Sequence, residues 1–258
     1  MNRAAHVWRR TALLVASASL IWATAALAFD DKPKFGPDAI PIERATDYLR
    51  THPAPDYWAI SPFYIPQETD SDCSVASIAT LLNALRGVPE RADNDLVTPR
   101  ALLSAVGSRR WKAETAWKGV GVTFAEFKNA IALSLRKYHL DNYRIEVFQP
   151  ADALGVNLSR LQTILAENER SDADIALAYF NQGVLTGDWD GPHISPIGAY
   201  DADKDRVLIM DVDRRYYVPY WSPAAKFLQS MTKPAPRRFG PLAGETGGIV
   251  WVRPGKFQ

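Results

Sequence analysis

Residues 71–85, SDCSVASIATLLNAL, hold the only cysteine of a 258-residue chain. After Cys73 the apolar side chains Val75, Ile78, Leu82 and Leu85 recur at helical spacing, and Gly87-Val88-Pro89 closes the element. The thiol therefore falls at a helix N-terminus, where unpaired amides and the helix dipole favour the thiolate, the nucleophilic form. By itself the cysteine is equally consistent with inert packing in a core. The choice turns on whether a base can reach it.

The N-terminus sets a context for that thiol. Arg3, Arg9 and Arg10 precede an apolar run over residues 12–26, and Ala26-Leu27-Ala28 places small residues before a cut at Phe29. This is the layout of a secretory signal peptide over residues 1–28, and the Arg9-Arg10 pair is compatible with twin-arginine export. A membrane anchor is the alternative, for which the run is short. Removing the leader takes the formal charge from +1 to −2. Such a balance, without a clustered basic face, speaks against nucleic acid as a partner. No second apolar stretch is long enough to span a bilayer. Residues 29–258 are read as a single exported domain, and assembly as a homodimer is left open. An exported lone cysteine has no partner for an intramolecular disulfide, so it is either buried or kept for its reactivity.

Working outward, residues 29–41 read as an extended lead-in and residues 42–50 as a short helix stopped by the Pro53–Pro55 region. Thr98 and Pro99 open a helix to Val106, and Thr123 with Glu126 forms a capping box for a helix reaching about His139. Asn157 is read as the cap of a helix over residues 158–169. Strands follow over residues 175–180, 194–200, 206–212 and 248–252, with one more helix over residues 222–231. A helix-rich first half and a sheet-rich second half fit an α+β fold.

A thiolate needs a base, and the histidines are few. His6 lies in the leader, His52 precedes Pro53 in a loop, and His139 ends a helix. His193 differs, standing in GPHISPIGAYD at a strand start after a Gly-rich turn. Asp211 follows 18 residues later at the end of RVLIMD, and a hairpin through residues 201–205 would bring the two side by side. The carboxylate would then hold the imidazole in the right orientation. Gln67, six residues before Cys73, could join the Cys73 amide in donating to an oxyanion. Gln, then Cys on a helix, then His and an acid on strands is the order of papain-like thiol enzymes. Asp201-x-Asp203-x-Asp205 lacks the sixth-position glycine and the twelfth-position glutamate of a calcium loop, so it is read as a hairpin turn. Tyr216, Tyr217, Tyr220 and Trp221 either line a groove or pack an edge. No His/Cys cluster offers a structural metal site.

Two segments carry a narrower likeness. Gln67-x5-Cys73-Ser-Val-Ala-Ser with Asn83-Ala-Leu, and His193-Ile-Ser-Pro-Ile-Gly-Ala-Tyr with Leu208-Ile-Met-Asp-Val-Asp-Arg, resemble phytochelatin synthases across roughly residues 60–221. The resemblance implies a papain-like fold, with a helical lobe carrying the nucleophile and an antiparallel sheet lobe carrying His and Asp. It implies Cys73, His193 and Asp211 as the catalytic set, Gln67 at the oxyanion hole, and Arg214 as a substrate-binding residue. The activity implied is release of glycine from glutathione through a γ-glutamylcysteinyl enzyme. Water or a second glutathione would then take the acyl group, the latter giving phytochelatins for metal detoxification. No cofactor is built in, and cadmium or zinc would act as glutathione thiolates or activators. Ser74 and Pro192 stand where the family usually has Gly, and Tyr179-Phe-Asn-Gln182 lacks an arginine common in plant members. Without a Cys-rich C-terminal region, the chain resembles the short bacterial form, which implies a periplasmic location. An exported endopeptidase for α-linked peptides and a non-catalytic module that binds thiol peptides are the alternatives.

Overall fold

The computed structural model describes residues 34–87 and 96–255. The leader over residues 1–28 and the Val88-Pro89 helix stop lie outside the described residues. In chain order the elements are β1 (Ile40–Pro41), α1 (Asp47–Thr51), α2 (Pro55–Ile60), α3 (Cys73–Arg86), α4 (Pro99–Val106), α5 (Arg109–Glu114) and α6 (Phe124–Lys137). Then come β2 (Tyr143–Phe148), α7 (Gly155–Asn168), β3 (Ile175–Asn181), α8 (Gln182–Thr186), β4 (Pro192–Asp201) and β5 (Arg206–Ile209). The last are β6 (Tyr220–Pro223), α9 (Ala224–Thr232) and β7 (Gly248–Pro254).

Among the described residues the strands form one seven-stranded sheet in the order β1-β6-β5-β4-β3-β7-β2, and its pairs are antiparallel. The period-two alternation of a strand sends successive side chains to opposite faces. Ile175, Leu177 and Tyr179 of β3 accordingly join a core with α3, α4 and α6. Ala176, Ala178 and Phe180 join a second core with α7 and α9. The α+β class and the helical lobe carrying Cys73 are as expected. The sheet, however, is covered by helices on both faces, which explains why β3 is buried along its whole length. None of the described helices is long and apolar enough to cross a membrane.

Several local readings change. Residues 42–50 form a 3-10 turn over Ile42–Arg44 and then α1, because the Ile42 amide is claimed by the Pro219 carbonyl beside the β1–β6 pair. Pro55 begins α2 instead of ending a helix, in keeping with its fixed φ and missing N–H at a first turn. Asn157 is not a cap: α7 begins at Gly155, and the Asn157 amide donates to Asp152. The strand read to residue 212 ends at Ile209. Thr98 caps α4 and Thr123 with Glu126 forms the capping box, as their side-chain chemistry dictates. The Asp201–Asp205 segment is the β4–β5 hairpin turn, with Asp201 accepting the Lys204 amide. Tyr217, Tyr220 and Trp221 are buried, which settles them as packing residues.

The helix that carries the cysteine is clamped at its far end. Buried Asn83 donates to the Val97 carbonyl at 2.9 Å and accepts the Val97 amide at 2.7 Å. Asn83→Ala would leave both main-chain groups without a partner. It is expected to lower the unfolding free energy by about 2 kcal/mol, read as a shifted urea midpoint at unchanged slope. An unshifted midpoint would show that the clamp contributes nothing.

Candidate active site

Cys73 is the first residue of α3, and the preceding Asp72 accepts the Val75 and Ala76 amides through its carbonyl. The Asp72 carboxylate faces the other way, accepting the Glu68 and Thr69 amides, so the turn leading to the thiol is wound around it. Burial raises this carboxyl above its ordinary value, with the amide bonds opposing. Side chains next to the cysteine fix the helix start further. Ser71 Oγ donates to the Gly119 carbonyl, and Ser74 Oγ accepts the indole N–H of Trp111 at 3.0 Å. Ser74, where the resembled family usually has Gly, thus anchors α5 against α3. One turn on, Ser77 Oγ donates to the Ile194 carbonyl at 3.1 Å and ties the cysteine helix directly to the strand of His193.

His193 is the second residue of β4, pairs across the ladder with Phe180, and is buried edge-on to that ring. Its Nε2 lies 2.9 Å from Asp211 Oδ1, which leaves Nδ1 for the sulfur, and the Cys73 side chain is close enough to raise the imidazole pKa. Burial works to lower its pKa. The charge and hydrogen bond of Asp211, then those of Cys73, overcome this and push it up to about 10. A raised histidine pKa stabilises the folded chain fully below the ordinary imidazole value, and that contribution is lost as pH rises through about 10.

Asp211 is fully buried and saturated with donors. Oδ1 accepts the Asp213 amide at 2.9 Å besides the imidazole, and Oδ2 accepts Gln182 Nε2 at 2.6 Å. Its carbonyl accepts the Tyr64 hydroxyl. Gln182, in the segment noted for a missing arginine, was not among the expected site residues. A carboxylate buried beside a histidine needs a second donor, and this was the available signal. A bulge in β4 between Ile197 and Ala199 shifts the register as β4 runs on from His193. Gly198 sits inside it because a Cβ there would lie 2.6 Å from Met210.

Gln67 stands in the turn before α3, its amide donating to the Val212 carbonyl at 2.8 Å, while its side-chain Oε1 is buried without a partner. It is thereby anchored next to Asp211. Arg214 is exposed and lies over the Tyr64 ring at 5.2 Å, outside the wall of the cleft that holds the thiol. His52 and His139 are exposed and away from this group. Among the described residues no cluster of three or more His, Cys, Asp or Glu is placed to hold a metal ion.

The thiol opens on a cleft of about 340 Å³, a volume suited to a small peptide. Its walls are the turn before α3, residues 119–122, the strand residues Tyr179, Pro192 and Ile194, and residues 238–242. A nucleophile thus lies in the wall of a peptide-sized groove, with a buried base close to it and a buried acid orienting that base. Acyl transfer through a thioester is the chemistry such a set can perform.

Comparison with known proteins gives one family. The model described as Phytochelatin synthase matches residues 44–237, most of the chain, and the match stops one residue before Arg238. Glutathione gamma-glutamylcysteinyltransferase 1 of Arabidopsis thaliana is 22% identical over 190 residues, covering 68% of this chain and 33% of that protein. Glutathione gamma-glutamylcysteinyltransferase 3 of Lotus japonicus is 24% identical over 191 residues, covering 68% and 34%. Glutathione gamma-glutamylcysteinyltransferase 1 of Triticum aestivum is 26% identical over 184 residues, covering 68% and 32%. The chain therefore spans about a third of the length of these curated relatives.

Proposed function

Because the chain belongs to the phytochelatin synthase family, we propose that it is a glutathione-directed thiol acyltransferase that works through a γ-glutamylcysteinyl thioester on Cys73. The observation that carries this reading is the buried His193 imidazole, bonded to Asp211 at 2.9 Å and close enough to Cys73 for the sulfur to raise its pKa. The Cys73 thiolate adds to the carbonyl between cysteine and glycine. Gln67 and the Cys73 amide are the donors for the oxyanion so formed. As the C–N bond breaks, His193 gives its proton to the glycine amine, and Asp211 holds the imidazole through the exchange. Water, or the amine of a second glutathione, then attacks the thioester, passes its proton back to His193 and expels the thiolate.

Cadmium or zinc would enter on the substrate, as glutathione thiolates. With the segment Tyr179-Phe-Asn-Gln182 lacking the arginine common in plant members, hydrolysis to γ-glutamylcysteine is expected to outweigh chain extension. The reaction is placed after export of the chain.

The test uses the chain's single thiol. Untreated protein and protein alkylated at Cys73 are incubated with glutathione, with and without cadmium, and free glycine, γ-glutamylcysteine and longer oligomers are quantified. Only the untreated protein should release glycine. Equal release by both, or cleavage of α-linked peptides with glutathione untouched, would sink the reading. The proton held by His193 adds a pH criterion. A base with pKa about 10 remains protonated through neutral pH, so the alkaline limb of kcat/KM is expected near pH 10. A limb near pH 7 would contradict it.

A further inference from the structure

The cleft wall includes a guanidinium, and it does not come from Arg214. The segment between α9 and β7 leaves the helix at Lys233 and is pinched shut by the Ala235 amide donating to the Glu245 carbonyl at 2.8 Å and the Gly244 amide to the Ala235 carbonyl at 2.9 Å. Its far side is docked on the helical lobe, where the Glu245 carboxylate accepts the Phe124 amide at the start of α6 at 2.8 Å. At its tip, Phe239 stands edge-on to Trp189 with ring centres 5.5 Å apart. Phe239 and the Arg238 beside it both line the groove that holds Cys73.

Among the described residues, Arg238 shares its one nearby carboxylate with a closer cation. It donates to the Asp190 carbonyl, but the Asp190 carboxylate is 3.9 Å away. That carboxylate already accepts Lys233 at 2.8 Å and Asn181 at 2.9 Å, and these bonds hold its pKa below the usual carboxylate range. Lys233 is thus the closer partner of Asp190, and Arg238, at the rim of the cleft, reaches that carboxylate only at 3.9 Å and lies over the Phe239 ring at 5.0 Å. In the same wall the Tyr179 hydroxyl is buried with no partner. A fork of N–H donors in the wall of the cleft that holds the thiol is the equipment for a carboxylate.

We infer that Arg238 is the specificity residue that pairs with a carboxylate of the acyl donor, in place of Arg214. This rests on the glutathione reading above for the identity of the donor. Glutathione offers two such groups, the free α-carboxylate of the γ-glutamyl residue and the carboxylate of glycine. The guanidinium forms a two-point pair with one of them while the cysteinyl carbonyl lies at the thiol. Because Arg238 meets neither the sulfur nor the imidazole, it acts on substrate binding and leaves the bond-breaking step to Cys73 and His193.

The experiment compares wild type, Arg238→Gln, Arg238→Lys and Arg214→Gln on three substrates: glutathione, its glycinamide, and the analogue lacking the γ-glutamyl α-carboxylate. In wild type at least one analogue should lose about 10- to 100-fold in kcat/KM. In Arg238→Gln that penalty should vanish, because glutathione itself falls to the level of the analogue through KM, and Arg238→Lys should restore part of it. The analogue concerned identifies which carboxylate is read. Retention of both penalties in Arg238→Gln, or their loss in Arg214→Gln instead, would overturn the assignment. A second readout needs no glutathione turnover: the ratio of Cys73 alkylation rates with iodoacetate and iodoacetamide, followed by mass spectrometry. Arg238→Gln should lower that ratio about 3- to 10-fold. If glutathione is not turned over at all, the proposed function fails, and an unchanged ratio would then overturn the Arg238 assignment as well.

Discussion

In Cys73→Ala, glycine release from glutathione is expected to fall on the order of 10⁶-fold. No neighbouring group can stand in for the sulfur. Ser71 Oγ is spent on the Gly119 carbonyl and Ser74 Oγ on Trp111, and the chain has no other thiol. The fold should tolerate the change, since Cys73 is only partly buried and alanine is the best helix former at the start of α3. An unchanged thermal midpoint beside the lost activity would separate chemistry from folding. Glycine release that survives at even a hundredth of the wild-type rate would remove Cys73 from the mechanism.

Asp211→Asn should be the second most damaging change, lowering kcat about 10³- to 10⁴-fold with the chain still folded. The carboxylate accepts three bonds, from His193, Asp213 and Gln182. An asparagine can keep its oxygen towards His193 and Asp213 and turn its amide towards Gln182, which can flip its own amide to accept. The shape survives. The charge does not, and it was Asp211 first, then Cys73, that lifted the buried imidazole against its desolvation. Without that support the alkaline limb of the pH profile should move down from about 10 as kcat drops. A variant that loses rate with the limb unmoved would assign Asp211 a structural part only.

Much of this arrangement could be read before any coordinates. The spacing after Cys73 places the thiol on a helix start, and one hairpin suffices to bring His193 beside Asp211. Local chemistry also decided the caps at Thr98 and Thr123. What escaped depends on contacts between distant residues. Gln182 is the first residue of a five-residue helix directly after β3, where no periodicity marks it. Ser77 looks like any small residue of a buried helix until β4 is laid across it. The 42–50 segment was broken by a strand pairing with residues near 220, which no local propensity encodes. Residues 143–148 do alternate in the manner of a strand, but their partner lies in β7, more than 100 residues on. Arg238 emerges only once the loop between α9 and β7 is seen to reach back over the groove.

The place of β7 in the sheet has a bearing on biosynthesis. This strand, the last among the described residues, lies in the interior, between β3 and β2. A growing polypeptide delivers Cys73 long before His193, and it delivers the strand that joins β2 to β3 later still. The sheet cannot close on the ribosome while residues 248–254 remain in the exit tunnel. Until then the sulfur is an ordinary thiol on a nascent helix, with no imidazole to receive or return a proton. Reactivity is thus withheld from the unfinished chain by the order of its strands, and the nucleophile is armed only when residues 248–254 have emerged to join β2 to β3.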